Sequence, residues 1–255
     1  MKRAVITHIS FGRHSWASDC CRKPIRLCTV QHVSPAYKKE KVLIFMNRLN
    51  GVPESVICRL PGYYRVLQEL QIDGIKRISS RELAERMRLT ASQIRQDLNC
   101  FGGFGQQGYG YNIDQLYKEI GRILGLDECK KTVLIGAGNL GRAIIAHMSF
   151  ERRGFRIIGV FDKKESLKGQ MIRGIPVRHV DDLDDFCREN LPACAVLCIP
   201  KAEAEQICRV LVPRGVKGFW NFSHFDLAAK YPQVSVESIH LGDSLMKLSY
   251  KCCNR

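Results

Sequence analysis

No stretch of this chain approaches the roughly 18 consecutive apolar residues that a membrane-spanning helix needs, so neither such a helix nor a membrane partner is expected. Zinc-type spacing is also missing. No C-x-x-C occurs among the twelve cysteines, Cys20–Cys21 and Cys252–Cys253 are adjacent, and Cys194 and Cys198 are separated by three residues. No metal site is therefore expected. Twelve cysteines in 255 residues also fall short of a disulfide scaffold. Reduced, mostly buried thiols in a cytoplasmic protein are the natural reading, with Cys198 and Cys208 filling core. Acidic residues are in short supply, 25 against 40 basic, giving a net charge of +15. This excess is uneven: residues 1–45 hold nine basic and two acidic residues, residues 46–125 eleven and eight, residues 126–255 twenty and fifteen. Nearly half of it lies in the least patterned segment, so net charge alone says little about nucleic acid.

That segment, residues 1–45, opens with "MKRAVITHISFGRHSWASD", a faint imitation of an export signal whose apolar stretch is interrupted by His8 and His14. We expect a basic, disordered extension, with Met46 as a candidate start.

Residues 46–126 read as a helical, winged-helix DNA-binding domain. In "LPGYYRVLQEL", Leu60, Tyr63, Tyr64, Leu67 and Leu70 recur at three and four residues, as one buried helix face requires. "SSRELAERM" carries a capping box, Ser79 with Glu82, and the next helix repeats the device with Thr90 and Gln93. Two capped helices on so short a turn predict a helix-turn-helix. Behind them, Gly102, Gly103, Gly105, Gly108 and Gly110 alternate with Phe104, Tyr109 and Tyr111, which suits a tight antiparallel ribbon, the wing, better than a phosphate loop. Ser79, Ser92, Gln93, Arg95 and Gln96, together with Gln106, Gln107, Gly108 and Tyr109 of the ribbon, are the candidate DNA contacts. Arginine binds guanine and glutamine binds adenine bidentately, so these side chains suit base reading. "NIDQLYKEIGRILGL" then places Ile113, Leu116, Ile120 and Leu124 on one helical stripe and closes the domain near Asp127.

Residues 127–240 alternate strand and helix. "KTVLIGAGNLGRAIIAHM" runs from a β-branched strand into a helix through Gly136, Gly138 and Gly141, and Asp162 ends the following strand "RIIGVFD". In this context the G-x-G-x-x-G pattern predicts a Rossmann NAD(H) site: one glycine for the turn, one for approach to pyrophosphate, one for helix-strand packing, and a carboxylate for ribose. Candidate cofactor residues are Gly136, Ala137, Gly138, Asn139, Leu140, Gly141, Asp162, Lys163, Ile199, Pro200 and Asn221. A carboxylate at 162 disfavours the extra phosphate of NADP, although Lys163 and Lys164 blur that preference. Further strands are expected in "CAVLCIP" and "GVKGFWNFS". Ile199, Pro200 and Phe222 are apolar candidates for a nicotinamide pocket. Residues 241–255 form a closing helix whose Leu241, Leu245 and Leu248 pack on its own sheet or on a partner subunit. The fold class is thus α/β: a winged helix-turn-helix, a Rossmann-like parallel-sheet domain and a C-terminal helix suited to dimerisation.

From about Pro53 to Tyr250 the chain resembles the Rex family of bacterial redox-sensing repressors. The resemblance rests on "SSRELAERMRLTASQIRQDLNCFGGFGQQGYGYNIDQLYKEIGRILGL", "VLIGAGNLG", "FD", "CIP", "KGFWNFS" and "HLGDSLMKLSY". It implies a cytoplasmic homodimer on palindromic double-stranded operators, sensing the NADH/NAD+ ratio, leaving DNA when NADH binds, and exchanging its C-terminal helix between subunits. Gln96 stands where many members have Lys, His240 where several have Asp, and "NFSHFDL" replaces "NFAP…L". Two other readings stay open. A small NAD-dependent oxidoreductase would need a proton donor near the nicotinamide, yet His147, His179 and His224 are tied by spacing to no second catalytic group, so no catalytic residue is assigned. A CoA- or nucleotide-binding interaction module would lack DNA contact.

Overall fold

A short turn, α1 (Glu54–Ile57), leads into α2 (Leu60–Ile72), whose second residue is Pro61, tolerated in a first turn because that N–H has no helical partner. The computed structural model describes residues 52–102, 105–106 and 109–253; the extension expected over 1–45 lies outside the described residues. Leu60, Tyr63, Leu67 and Leu70 are buried as the spacing predicts, whereas Tyr64 sits at the margin and stacks on Tyr117, ring centroids 4.4 Å apart. After β1 (Arg77–Ile78), α3 (Ser80–Met87) begins at the capping box: the Ser79 hydroxyl accepts from the Glu82 amide, and the Glu82 carboxylate accepts from the Ser79 amide. Arg88 ends α3 in the left-handed region, and α4 (Ala91–Asn99) starts three residues later, its N-cap Thr90 accepting from the Gln93 amide. The ribbon follows as β2 (Gly105–Gln106) and β3 (Gly110–Asn112), antiparallel, with β1 on the far side of β3. Gly110 has φ of +68°, and a Cβ there would meet the Ile78 carbonyl at 2.6 Å, so glycine is what lets the wing close on β1. Helix α5 (Ile113–Ile123), capped by Asn112, buries Ile113, Leu116 and Ile120 in the same core as α2, α3 and α4.

The second sheet accounts for the rest. Strand β4 (Lys130–Ile135) feeds α6 (Asn139–His147), then β5 (Phe155–Asp162), β6 (Met171–Ile172), β7 (Ile175–His179), α7 (Leu183–Asn190), β8 (Cys194–Leu197), α8 (Lys201–Leu211), β9 (Gly218–Asn221), α9 (Leu227–Lys230), β10 (Ser235–Ser238) and α10 (Leu241–Cys253). The order is β10-β9-β8-β4-β5-β7-β6, parallel except for the β6–β7 pair. Strand order therefore reverses between β4 and β8, which opens a crevice at their carboxyl ends. Three strands escape the sequence reading. β6 has two residues, one of them buried, β10 is short and mostly exposed, and β7 carries Pro176, so none presents an apolar run. Helices α7, α8 and α9 cover one sheet face, where Phe161, Phe186, Leu211 and Phe219 pack. On the opposite face, α6 packs over Leu134, Val160 and Val196. Every described residue of α10 is exposed; Leu245 and Tyr250 are 68% and 71% accessible.

Candidate functional site

At the reversal of strand order, Gly136 (φ +100°) turns the chain out of β4 directly against β8: a Cβ there would clash with the Cys198 carbonyl. A Cβ on Gly141 would clash with the Gly136 carbonyl, so this position fixes how closely α6 can pack on the loop. Gly138 faces open space, the opposite situation. It is the N-cap of α6 without any side-chain cap, and Gly138, Asn139 and Leu140 are exposed, so the helix N-terminus presents its amides and positive dipole end to an incoming anion. Ala137 differs from its neighbours. It is fully buried, and its amide donates to Asp162 Oδ2 at 2.7 Å.

Asp162 is 9% accessible and accepts two backbone bonds, from Ala137 and from Lys164 (2.8 Å to Oδ1). Each oxygen keeps a lone pair, and no cation is bonded to the group among the described residues. The carboxylate thus stitches the glycine loop to β5 and still carries a charge suited to a ribose diol. Arg142, which the spacing did not single out, holds the loop from the other side through the Ala137 carbonyl (2.8 Å) and Gln170 (2.6 Å). Lys163 forms an ion pair with Glu203, from the end of β5 to the first turn of α8. Ile199 is half-buried beside Gly136, exposed Pro200 caps α8, and Phe222 packs edge-on against Trp220 at 4.8 Å. Asn221 faces inward rather than into the crevice. It is 1% accessible, its Oδ1 accepts from the Ser223 amide and hydroxyl, and its Nδ2 donates to the Phe225 carbonyl and the Ser238 hydroxyl. Its side chain organises the loop after β9. Burial pushes the Cys198 thiol at the crevice up to about 12, and those of Cys187 and Cys208 to about 11 and about 12, so thiolate chemistry is disfavoured there at neutral pH.

In the helical domain, Ser92, Arg95 and Gln96 are exposed on one face of α4, joined by Asn99 one turn further on, which the sequence reading passed over. Arg95 reaches Ser80 at 3.2 Å, aligning the two helices of the motif. Gln93 departs from expectation. Its amide nitrogen donates to Asp97 Oδ1 at 2.8 Å, so it points back to the domain rather than outward. Asp97, 1% accessible, also accepts from Arg59 Nε and Nη2 (2.7 and 2.8 Å) and from the Tyr63 hydroxyl (2.8 Å). Burial pushes its pKa up, but the bonds from Arg59, Gln93 and Tyr63 outweigh this and hold its carboxyl below the usual range. One signal could have disclosed this: Asp97 lies between Ile94 and Leu98 on the buried stripe of α4, where an unpaired carboxylate would be untenable. At the wing, exposed Tyr109 has the Arg77 guanidinium 5.8 Å from its ring centroid, with Arg77 Nη1 donating to its carbonyl. Ser79 serves the capping box of α3. Gln106 falls in β2; Gln107 and Gly108 lie outside the described residues.

A winged helix-turn-helix followed by a doubly wound sheet with a glycine crevice is the architecture of a ligand-responsive DNA-binding regulator. Residues 51–99 match the family "Putative DNA-binding protein N-terminus" and residues 127–225 the family "CoA binding domain". The chain is 49% identical over 205 residues to the redox-sensing transcriptional repressor Rex of Clostridium perfringens (strain SM101 / Type A), covering 80% of this chain and 96% of that protein. Rex of Caldanaerobacter subterraneus subsp. tengcongensis is 51% identical over 207 residues, 81% of this chain and 92% of the relative. Among solved structures, RSP in complex with β-NAD+ and operator DNA is similar at TM-score 0.75 and 50% identity, covering 79% of this chain and 92% of that one. RSP in complex with β-NADH gives 0.73 and 47%, covering 79% and 94%. The chain belongs to the Rex family of redox-sensing transcriptional repressors.

Proposed function

We propose that this chain is a transcriptional repressor, not an enzyme, that binds operator DNA through its winged head and releases it when NADH occupies the glycine crevice. The observation that carries the reading is the presence, in one chain, of an outward-facing Ser92/Arg95/Gln96 surface and an uncapped helix N-terminus at Gly138 beside a buried carboxylate. Support comes from relatives that share about half their residues with it and have been crystallised with operator DNA and NAD+ or with NADH.

On this reading Arg95 and Gln96 read base edges while Ser92 and the wing hold phosphate. Gly138, Asn139 and Leu140 cradle the pyrophosphate, and Asp162 takes the ribose. Ile199, Pro200 and Phe222 offer an apolar wall that favours the neutral reduced ring over the cationic oxidised one. Discrimination of this kind is required, because a ligand with equal affinity for both conformations shifts nothing.

The protein acts in the cytoplasm as a homodimer with exchanged C-terminal helices. One sheet face near the amino ends of β4, β8, β9 and β10 carries a cavity of about 750 Å³ lined by Phe150, Phe155, Val196, Trp220 and Val236, while Leu241, Leu245, Met246 and Leu248 of α10 are exposed among the described residues. A helix and a groove left open in one chain can each be covered by a second copy. NADH titrated into a complex with fluorescent palindromic operator should release the DNA at concentrations where NAD+ does not. Equal responses to the two nucleotides would discard the reading.

A further inference from the structure

His224 and His240 belong to neither site, yet the fold brings them together. His224 stands in the left-handed region (φ +60°) of the loop after β9, which Asn221 organises through Ser223 and the Phe225 carbonyl. The same Asn221 reaches Ser238 at the end of the neighbouring parallel strand β10, two residues before His240. His240 in turn anchors the start of α10, its carbonyl accepting from the Asp243 amide at 3.1 Å. The two Nδ1 atoms lie 2.6 Å apart, with ring centroids 4.7 Å apart and planes inclined by 26°. Because the nitrogens are so much closer than the centroids, the rings meet edge to edge and their Nδ1 atoms face one another.

Only one of these nitrogens can carry a hydrogen; the other must present its lone pair. Both rings are exposed, and among the described residues neither has an ion pair with a carboxylate or a bond at Nε2. Asp226 at the cap of α9, Glu237 on β10 and Asp243 in the first turn of α10 are the acidic residues on the attached segments.

We propose that His224 and His240 form a two-imidazole site for a borderline divalent transition-metal ion such as zinc. Two neutral imidazoles are suitable ligands for such ions. Moving the bridging hydrogen from Nδ1 to the solvent-facing Nε2 of the same ring frees both Nδ1 lone pairs without gain or loss of a proton. Tetrahedral zinc bonds of about 2.0–2.1 Å need the nitrogens roughly 3.3 Å apart, a small opening for two exposed rings on loops. No group of three or more His, Cys, Asp or Glu side chains among the described residues could hold a metal, so water completes the shell and binding is weaker than in a closed structural site. The bound ion would fasten the loop after β9 to the root of α10.

The test is Zn2+ uptake by the full-length, tag-free chain in competition with a chromophoric chelator, for wild type, His240→Gln and His224→Asn. Asn tolerates the left-handed backbone at 224, and thermal melting verifies that each variant folds. Wild type should bind one more Zn2+ per chain than either variant, since zinc held by thiols elsewhere is common to all three. Undiminished uptake in either folded variant overturns the proposal.

Discussion

Each domain contains one buried carboxylate that fastens its working surface to the scaffold, and the two are neutralised differently. Asp97 lies on the buried side of α4 and is paired with an arginine, a tyrosine and a glutamine. Asp162 sits beneath the glycine loop and meets only two backbone amides. A carboxylate that already faces a guanidinium has little left to offer a ligand and works as a brace. One held by neutral amides keeps lone pairs and charge at the rim of a crevice, so it can brace and bind at once.

The largest expected effect follows from removing the paired carboxylate. Asp97→Ala leaves the Tyr63 hydroxyl buried without a partner and Arg59 without its counter-charge, which should destabilise the head by about 3 kcal/mol, read from denaturant unfolding. The same pair predicts a pH dependence. Asp97 has its folded value depressed, so its contribution is complete above the unfolded value of about 3.9 and is lost as pH falls through the folded one. Acid unfolding of the head should therefore shift to higher pH in Arg59→Ala, which removes the largest of the contributions that depress it. An unchanged acid midpoint would reduce Asp97 to an ordinary helix residue.

A smaller, differently placed effect is expected at the other carboxylate. Asp162→Asn keeps one acceptor for the loop but removes the charge, so NADH affinity should fall by about 1.5–3 kcal/mol, roughly ten- to a hundredfold, by calorimetry. Operator binding without nucleotide should persist. If instead the variant unfolds like Asp97→Ala, the two carboxylates are alike and the contrast between them fails.

The same contrast explains what could be read in advance. The glycine loop was legible because its duties are steric and local: Gly136 and Gly141 sit where backbone atoms leave no room for a Cβ, and such needs leave a fixed spacing. The capping box of Ser79 and Glu82 was legible for the same reason, whereas at Thr90 only the hydroxyl half of the expected device forms, because the Gln93 side chain is taken by Asp97. The inward bonds of Asn221 and Gln93 could not be foreseen, because a polar side chain at a strand end or in a helix's first turn looks identical in sequence whether it faces solvent or the interior. Only packing distinguishes them. Strands β6 and β10 went unseen because edge strands carry no apolar alternation.

Gln93 gives the smallest effect, and the one that most directly separates a brace from a reader. Were it a base-contacting residue, Gln93→Ala would relax operator preference at one position by about 1–3 kcal/mol, as Arg95→Ala is expected to do. Held on Asp97, it instead contributes one charge-assisted bond of four to a buried network, and its backbone amide stays on Thr90 regardless of the side chain. Its replacement should therefore lower the stability of the head by about 1 kcal/mol and weaken operator binding evenly across single-base variants of the site. A loss confined to one base pair, with melting unchanged, would mean that Gln93 swings off Asp97 on DNA and that the brace is also a reader.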